Sequence, residues 1–108
     1  MRPAIPPEVR HNGHVYWLLA PDRETRDHAI ARLAEHGVRA QFHYVPLHSS
    51  PAGLRYGRPV GDLAVTTSVA ARLLRLPIWV GMTRADVDRV CELTIAALVQ
   101  RRAAGVRR

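Results

Sequence analysis

A chain of 108 residues carrying a formal charge of +7, with sixteen arginines and not one lysine, has room for a single domain. It offers no side-chain amine to form an imine with a carbonyl. Its lone cysteine, Cys91, excludes an internal disulfide or a cysteine-based zinc site, and no apolar run approaches a membrane span.

The arginines are scattered from Arg2 to Arg108 instead of being gathered on one element, and no row of stacking aromatics accompanies them. That distribution argues against nucleic acid and for a solvated basic surface attractive to an acidic small molecule or an acidic partner. Without a secretory pattern at the N-terminus, the expected location is the cytoplasm.

Residues 1–13, with Pro3, Pro6, Pro7 and Gly13, read as an irregular arm or linker. His14–Ala20 is a nearly continuous apolar run containing Val15, Tyr16 and Trp17, which predicts a buried strand. His11 and His14 stand three apart but supply too few ligands for a metal. Asp22 is a natural N-cap, with Glu24 in the positive first turn of the helix that follows. Ile30, Leu33 and Ala34, with Ala29 alongside, form its apolar stripe, while Arg23, Arg26 and Asp27 are expected to face water. Gly37 is a left-handed stop. Val38, Ala40, Phe42 and Tyr44 then alternate with Arg39, Gln41 and His43, predicting a second strand and a strand–helix–strand unit.

Pro46 removes a backbone donor and ends that strand. Two imidazoles, His43 and His48, flank its end, with the phenol of Tyr44 beside them. Polar groups at a strand end and on the loop behind it are well placed to meet a ligand. The same residues would serve as surface groups that help the loop fold back. Residues 49–62, with two prolines and three glycines, read as a long loop, a length that more often signals function than idle chain. Tyr56 within it is either a contact residue or a plug.

A further helix is expected from Asp62 or Thr66 to about Leu74, with Val65, Val69 and Leu73 inward. Pro77 forbids its continuation. Leu76–Val80 reads as a short edge strand. Thr83 and Asp86 approximate a capping box for the last helix, with Val87, Val90, Cys91, Thr94 and Leu98 buried and Ile95 beside them. Arg101 and Arg102 suit its negative end, and 103–108 form a fraying tail. The folded unit is therefore expected over 14–102, in the α+β class: a small three-stranded sheet with helices packed against it.

The residues carry more than the pattern does. His-Tyr-Val-Pro-Leu-His-Ser-Ser-Pro-Ala-Gly at 43–53, Thr66-Thr67, Arg72–Ile78 and Met82-Thr83 together resemble the C-terminal small domain of the DegT/StrS-type sugar-nucleotide aminotransferases. The likeness runs from about Asn12 to Leu98. It implies the aspartate aminotransferase fold (fold type I) and pyridoxal-phosphate-dependent transfer of an amino group from glutamate to C4 of a dTDP-linked 4-keto-6-deoxy sugar. In that family the cofactor, its lysine and the acidic partner of the pyridine nitrogen belong to a large N-terminal domain, and the full-length enzyme is a homodimer. The chain alone is thus expected to hold no pyridoxal phosphate, to contribute no catalytic residue, and to act as a fragment or with a separate large-domain chain.

Within the resemblance, His43, Tyr44 and His48 match the strand end and loop facing the active-site cleft. His43 and His48 are expected there to hydrogen-bond hydroxyl or phosphate oxygens of the nucleotide sugar. Leu73, Leu76, Pro77 and Ile78 match as core and turn residues. Two alternatives stay open: a stand-alone module binding an acidic nucleotide or amino acid, and a gene remnant without function.

Overall fold

In a computed structural model, three short strands and four helices alternate along the chain. The structure describes the backbone of residues 1–105 and the side chains of 1–99; the expectations for the Arg101 and Arg102 side chains and for 106–108 lie outside the described residues.

Strand β1 (Tyr16–Leu19) leads through Pro21 into α1 (Arg23–Glu35). The Asp22 carboxylate accepts from the Thr25 N–H at 2.7 Å, capping the helix as its position predicts. Gly37, at φ +76°, lets the chain turn back so that the Val38 N–H reaches the Leu33 carbonyl at 2.9 Å. β2 is Gln41–Phe42 alone, and Phe42 and Tyr44, expected inward, are largely exposed. The strand is too short to carry the whole alternation; Val38 and Ala40 are buried before pairing begins.

The stretch after Pro46 is not the featureless loop expected. A 3₁₀ turn at Leu47–Ser49 runs into α2 (Pro51–Tyr56). Ser50 is its N-cap, accepting from the Gly53 N–H at 3.0 Å, and Pro51 occupies the first turn, where a missing donor costs nothing. A Cβ on Gly53 would run into the Leu47 carbonyl, so only glycine lets the turn and the helix nest.

Helix α3 (Ala64–Arg72) ends two residues earlier than expected, and Val65, assigned inward, is 78% exposed. β3 is Leu73–Leu76, upstream of Pro77 instead of across it, and it is the central strand of the order β1-β3-β2. A proline cannot donate to a neighbour on a two-sided strand, so the pairing segment must stop before it. Both neighbours run antiparallel to β3, which pairs Leu74 with Leu18 on one side and with Phe42 on the other. β1 and β2 are therefore parallel to each other, with α1 crossing over the strand between them.

Helix α4 (Arg84–Gly105) packs on α1. Its inward face is Val90, Thr94 and Ala97, with Leu93 and Leu98 partly buried. Cys91 and Ile95, expected in the core, are exposed. The helix is rotated so that 93 and 97, not 91 and 95, flank the 90–94 seam. Buried Thr94 satisfies its hydroxyl by donating to the Val90 carbonyl at 2.6 Å. Arg89 donates to the His36 carbonyl at 3.0 Å, tying α4 to the end of α1.

The core joins Ala20, Leu33, Val38, Ala40, Leu74 and Val90. Of its large side chains, Leu33 and Leu74 are completely buried, worth roughly 2 kcal/mol each. Neither α2 nor α3 contains a buried residue. The accessible surface is 8523 Å², against about 6000 Å² for a compact monomer of this mass. The radius of gyration, 16.1 Å, likewise exceeds the roughly 13 Å of a compact chain. Much apolar surface, including Leu47, Leu54, Tyr56, Val60 and Val65, is left to solvent on one part of the chain.

Candidate functional site

The end of β2, the 3₁₀ turn, α2 and α3 form the walls of two adjoining hollows. His48 is half-buried in the turn, and its Nε2 lies 3.1 Å from Thr67 Oγ1 on α3. The Thr67 hydroxyl has one proton, and it donates that proton to the Leu63 carbonyl at 3.0 Å. With the Thr67 proton on the Leu63 carbonyl, the His48 contact runs from an Nε2–H to a Thr67 lone pair and Nδ1 is the acceptor of the neutral ring; a Thr67 hydroxyl turned toward His48 reverses both roles. Sequence reasoning quoted Thr67 as part of a motif without giving it this role.

His48 lines a hollow of ≈ 630 Å³ together with Ala52, Tyr56, Arg58, Pro59 and Leu63. His43 and Tyr44 lie elsewhere. Their rings meet edge to face at 4.6 Å between centroids, and both side chains are exposed. They border an open groove along β2 with Gln41 and Arg75. The three residues singled out by sequence thus do not converge on one point. Tyr44 is the link: it also borders a second hollow, of ≈ 440 Å³, that includes Thr67, the partner of His48.

Arginines stack on the aromatics of this region, with Arg26 Cζ 5.7 Å from the Phe42 ring centre, Arg55 5.1 Å from Tyr56 and Arg75 5.6 Å from Tyr44. Guanidiniums held over rings are restrained without being neutralised. The surroundings therefore favour an anionic ligand. Arg26, expected to face water, has a side chain only 8% exposed. The signal was in the spacing, since 26, 29, 30 and 33 fall on one helical face.

The His11 and His14 rings stack at 6.4 Å, His14 is engaged by Asn12, and His14 borders a hollow with Gln41 and Arg75. Among the described residues there is no cluster of three or more metal-ligating side chains, and no helix is long and apolar enough to cross a membrane.

The fold as a whole is shared with solved aminotransferases. An aminotransferase TlmJ from Streptoalloteichus hindustanus superposes with a TM-score of 0.78 at 28% identity, covering 91% of this chain and 25% of that one. A DegT DnrJ EryC1 StrS aminotransferase from Brucella abortus gives 0.77 at 26% identity, covering 90% and 26%. The fold is therefore that of the small domain of fold type I pyridoxal-phosphate enzymes.

Residues 1–94 match the DegT/DnrJ/EryC1/StrS aminotransferase family, and the chain belongs to it. Among curated proteins it is 40% identical over 86 residues to the erythromycin biosynthesis sensory transduction protein EryC1 of Saccharopolyspora erythraea, covering 78% of this chain and 24% of that protein. The chain thus spans about a quarter of the length of such relatives. Enzymes of the family depend on pyridoxal phosphate. This chain has no lysine, so its side chains cannot hold the cofactor aldehyde covalently, and the residues present do not fit that role.

Proposed function

We propose that the chain forms one wall of the substrate site of a sugar-nucleotide transaminase and does not transaminate by itself. The cofactor and its lysine would come from a large domain. The observation that carries this reading is that α2 and α3, the two helices beside the His48 hollow, contain no buried residue. A six-residue helix such as α2 is not stable in water by itself, so a second surface is expected to cover it. Family membership supports the cofactor-bearing domain as that surface, on a separate chain or in a longer protein, in a dimeric assembly.

In this reading His48 offers Nδ1 to a sugar hydroxyl while Thr67 holds the ring, and His43 and Tyr44 contribute from the adjoining groove. The run at 43–53 resembles that of dTDP-4-amino-4,6-dideoxygalactose transaminase, which favours a dTDP-linked 4-keto-6-deoxy sugar as acceptor and glutamate as amino donor. A cytoplasmic location goes with such substrates.

The test is reconstitution. The purified chain alone is expected to give no amino transfer, and mixing it with a lysine-bearing domain of the same family is expected to restore turnover of keto-sugar with glutamate. Turnover by the chain alone, or persistent inactivity with a partner shown to bind both cofactor and chain, would refute the reading.

A further inference from the structure

We infer that Arg26 anchors an oxyanion-binding site in the hollow between the first turns of α1, the end of β2 and α3. The side chain is more than nine-tenths buried. A buried guanidinium is costly unless its charge is matched and its donors are used. Here the match is incomplete. Arg26 Nε lies 2.6 Å from Asp27 Oδ1, close enough for an ion pair, yet its N–H is not aimed at that or any other acceptor. Asp27 is shared, since Arg23 Nε approaches its other oxygen at 3.5 Å. Asp27 therefore divides its two oxygens between two guanidiniums, and the Arg26 Nε–H keeps no hydrogen-bond acceptor.

The walls say what chemistry would complete it. The Thr67 proton is committed to the Leu63 carbonyl, and the Ser49 hydroxyl donates to the Pro46 carbonyl at 3.1 Å. Both residues line the hollow, and each hydroxyl already has a carbonyl acceptor within reach. What the site offers a ligand is therefore guanidinium N–H groups and positive charge, which suits an acceptor-only group such as a carboxylate or phosphate. The Phe42 ring under Arg26 and the methyls of Ala70 and Ala71 give apolar wall, and Arg23 and Asp27 line the hollow as well, so an entering anion competes with the Asp27 carboxylate for the guanidiniums. The volume, ≈ 440 Å³, admits the end of a small molecule.

This site adjoins Tyr44 and the Thr67–His48 pair, so it deepens the reading given above. It rests on that reading only for the ligand's identity, either the phosphate of a nucleotide or the carboxylate of an amino donor.

The experiment follows the Arg26 Nε–H resonance of the full chain by nitrogen-15 NMR during titration with pyrophosphate and, separately, glutamate at constant ionic strength. A saturable shift at millimolar concentration is expected, and whichever probe saturates first names the source of the anion. Arg26→Gln is expected to weaken binding by at least about tenfold, and Arg26→Lys, which keeps charge but loses the fork, to weaken it less. Should loss of Arg26 unfold the chain, Ala70→Glu keeps the guanidinium, supplies it with a carboxylate and is expected to block the titration. No saturable shift in the native chain, or equal binding by Arg26→Gln, overturns the inference. Pyrophosphate or glutamate binding at Arg26 with no response of His43 or His48 to a dTDP-sugar would uphold it while removing the substrate reading.

Discussion

Thr67 decides what His48 can do. Its hydroxyl lies within hydrogen-bond distance of both the Leu63 carbonyl and His48 Nε2, so the imidazole is held in one orientation, and donation to Leu63 selects the Nε2–H tautomer. Thr67→Val keeps the shape and removes that acceptor. The His48 nitrogens are then expected to show a mixture of tautomers by nitrogen-15 NMR, with a stability loss of about 1 kcal/mol or less because the pair is solvent-accessible. A single unchanged Nε2–H tautomer in the variant would show that something else orients the ring. Arg26 is the complementary case. Its helical spacing from Leu33 was visible in the chain, yet arginine is so seldom buried that composition outweighed periodicity.

The caps of the two long helices were legible because they are local. Asp22 and Thr25 are three apart, and so are Thr83 and Asp86. In the latter the box closes both ways: the Thr83 N–H and hydroxyl donate to Asp86 Oδ2 at 2.8 and 2.6 Å, and the Asp86 N–H donates to Thr83 Oγ1 at 3.2 Å. The Thr83 hydroxyl, and then its N–H, hold the Asp86 carboxyl below its ordinary value of 3.8, against a smaller opposing effect of desolvation. A lowered folded-state value means the carboxylate stabilises the folded chain above pH 3.8 and loses that contribution as pH falls through the lowered value. Asp86→Asn is thus expected to lower the melting temperature at neutral pH and to flatten the acid limb below pH 3.8. Parallel acid limbs in native and variant melts would contradict the assignment. The nesting of the 3₁₀ turn against α2 was missed for a different reason. In sequence Pro51 and Gly53 read as breakers, although proline suits a first helical turn and glycine is needed there by the approach of the Leu47 carbonyl.

Taken whole, the molecule has a small core on one side and unburied helices on the other. Leu33→Ala, at the centre of that core, is expected to cost about 2–5 kcal/mol, a large share of the stability of a chain this size. Val65→Asp, on exposed α3, is expected to change the melting of the isolated chain by no more than about 0.5 kcal/mol while abolishing association with a cofactor-bearing domain. Pull-down and sedimentation measure the second effect. Undiminished association of Val65→Asp would move the docking surface away from α3.

Signals confined to a few neighbouring residues were readable from the chain: the caps, the Gly37 stop, the Ala29 and Leu33 positions of α1 and the motif at 43–53 that points to the family. The lack of lysine needed no coordinates at all. Which strand lies in the middle, which way α4 is turned, and that His43 and His48 open on different hollows were not readable. Those outcomes depend on partners far apart in sequence, such as Arg75 facing both Trp17 and Gln41 across the sheet, or Arg89 reaching the carbonyl of His36. Burial is a property of what packs against a residue, and a periodic pattern fixes a face without naming its neighbour.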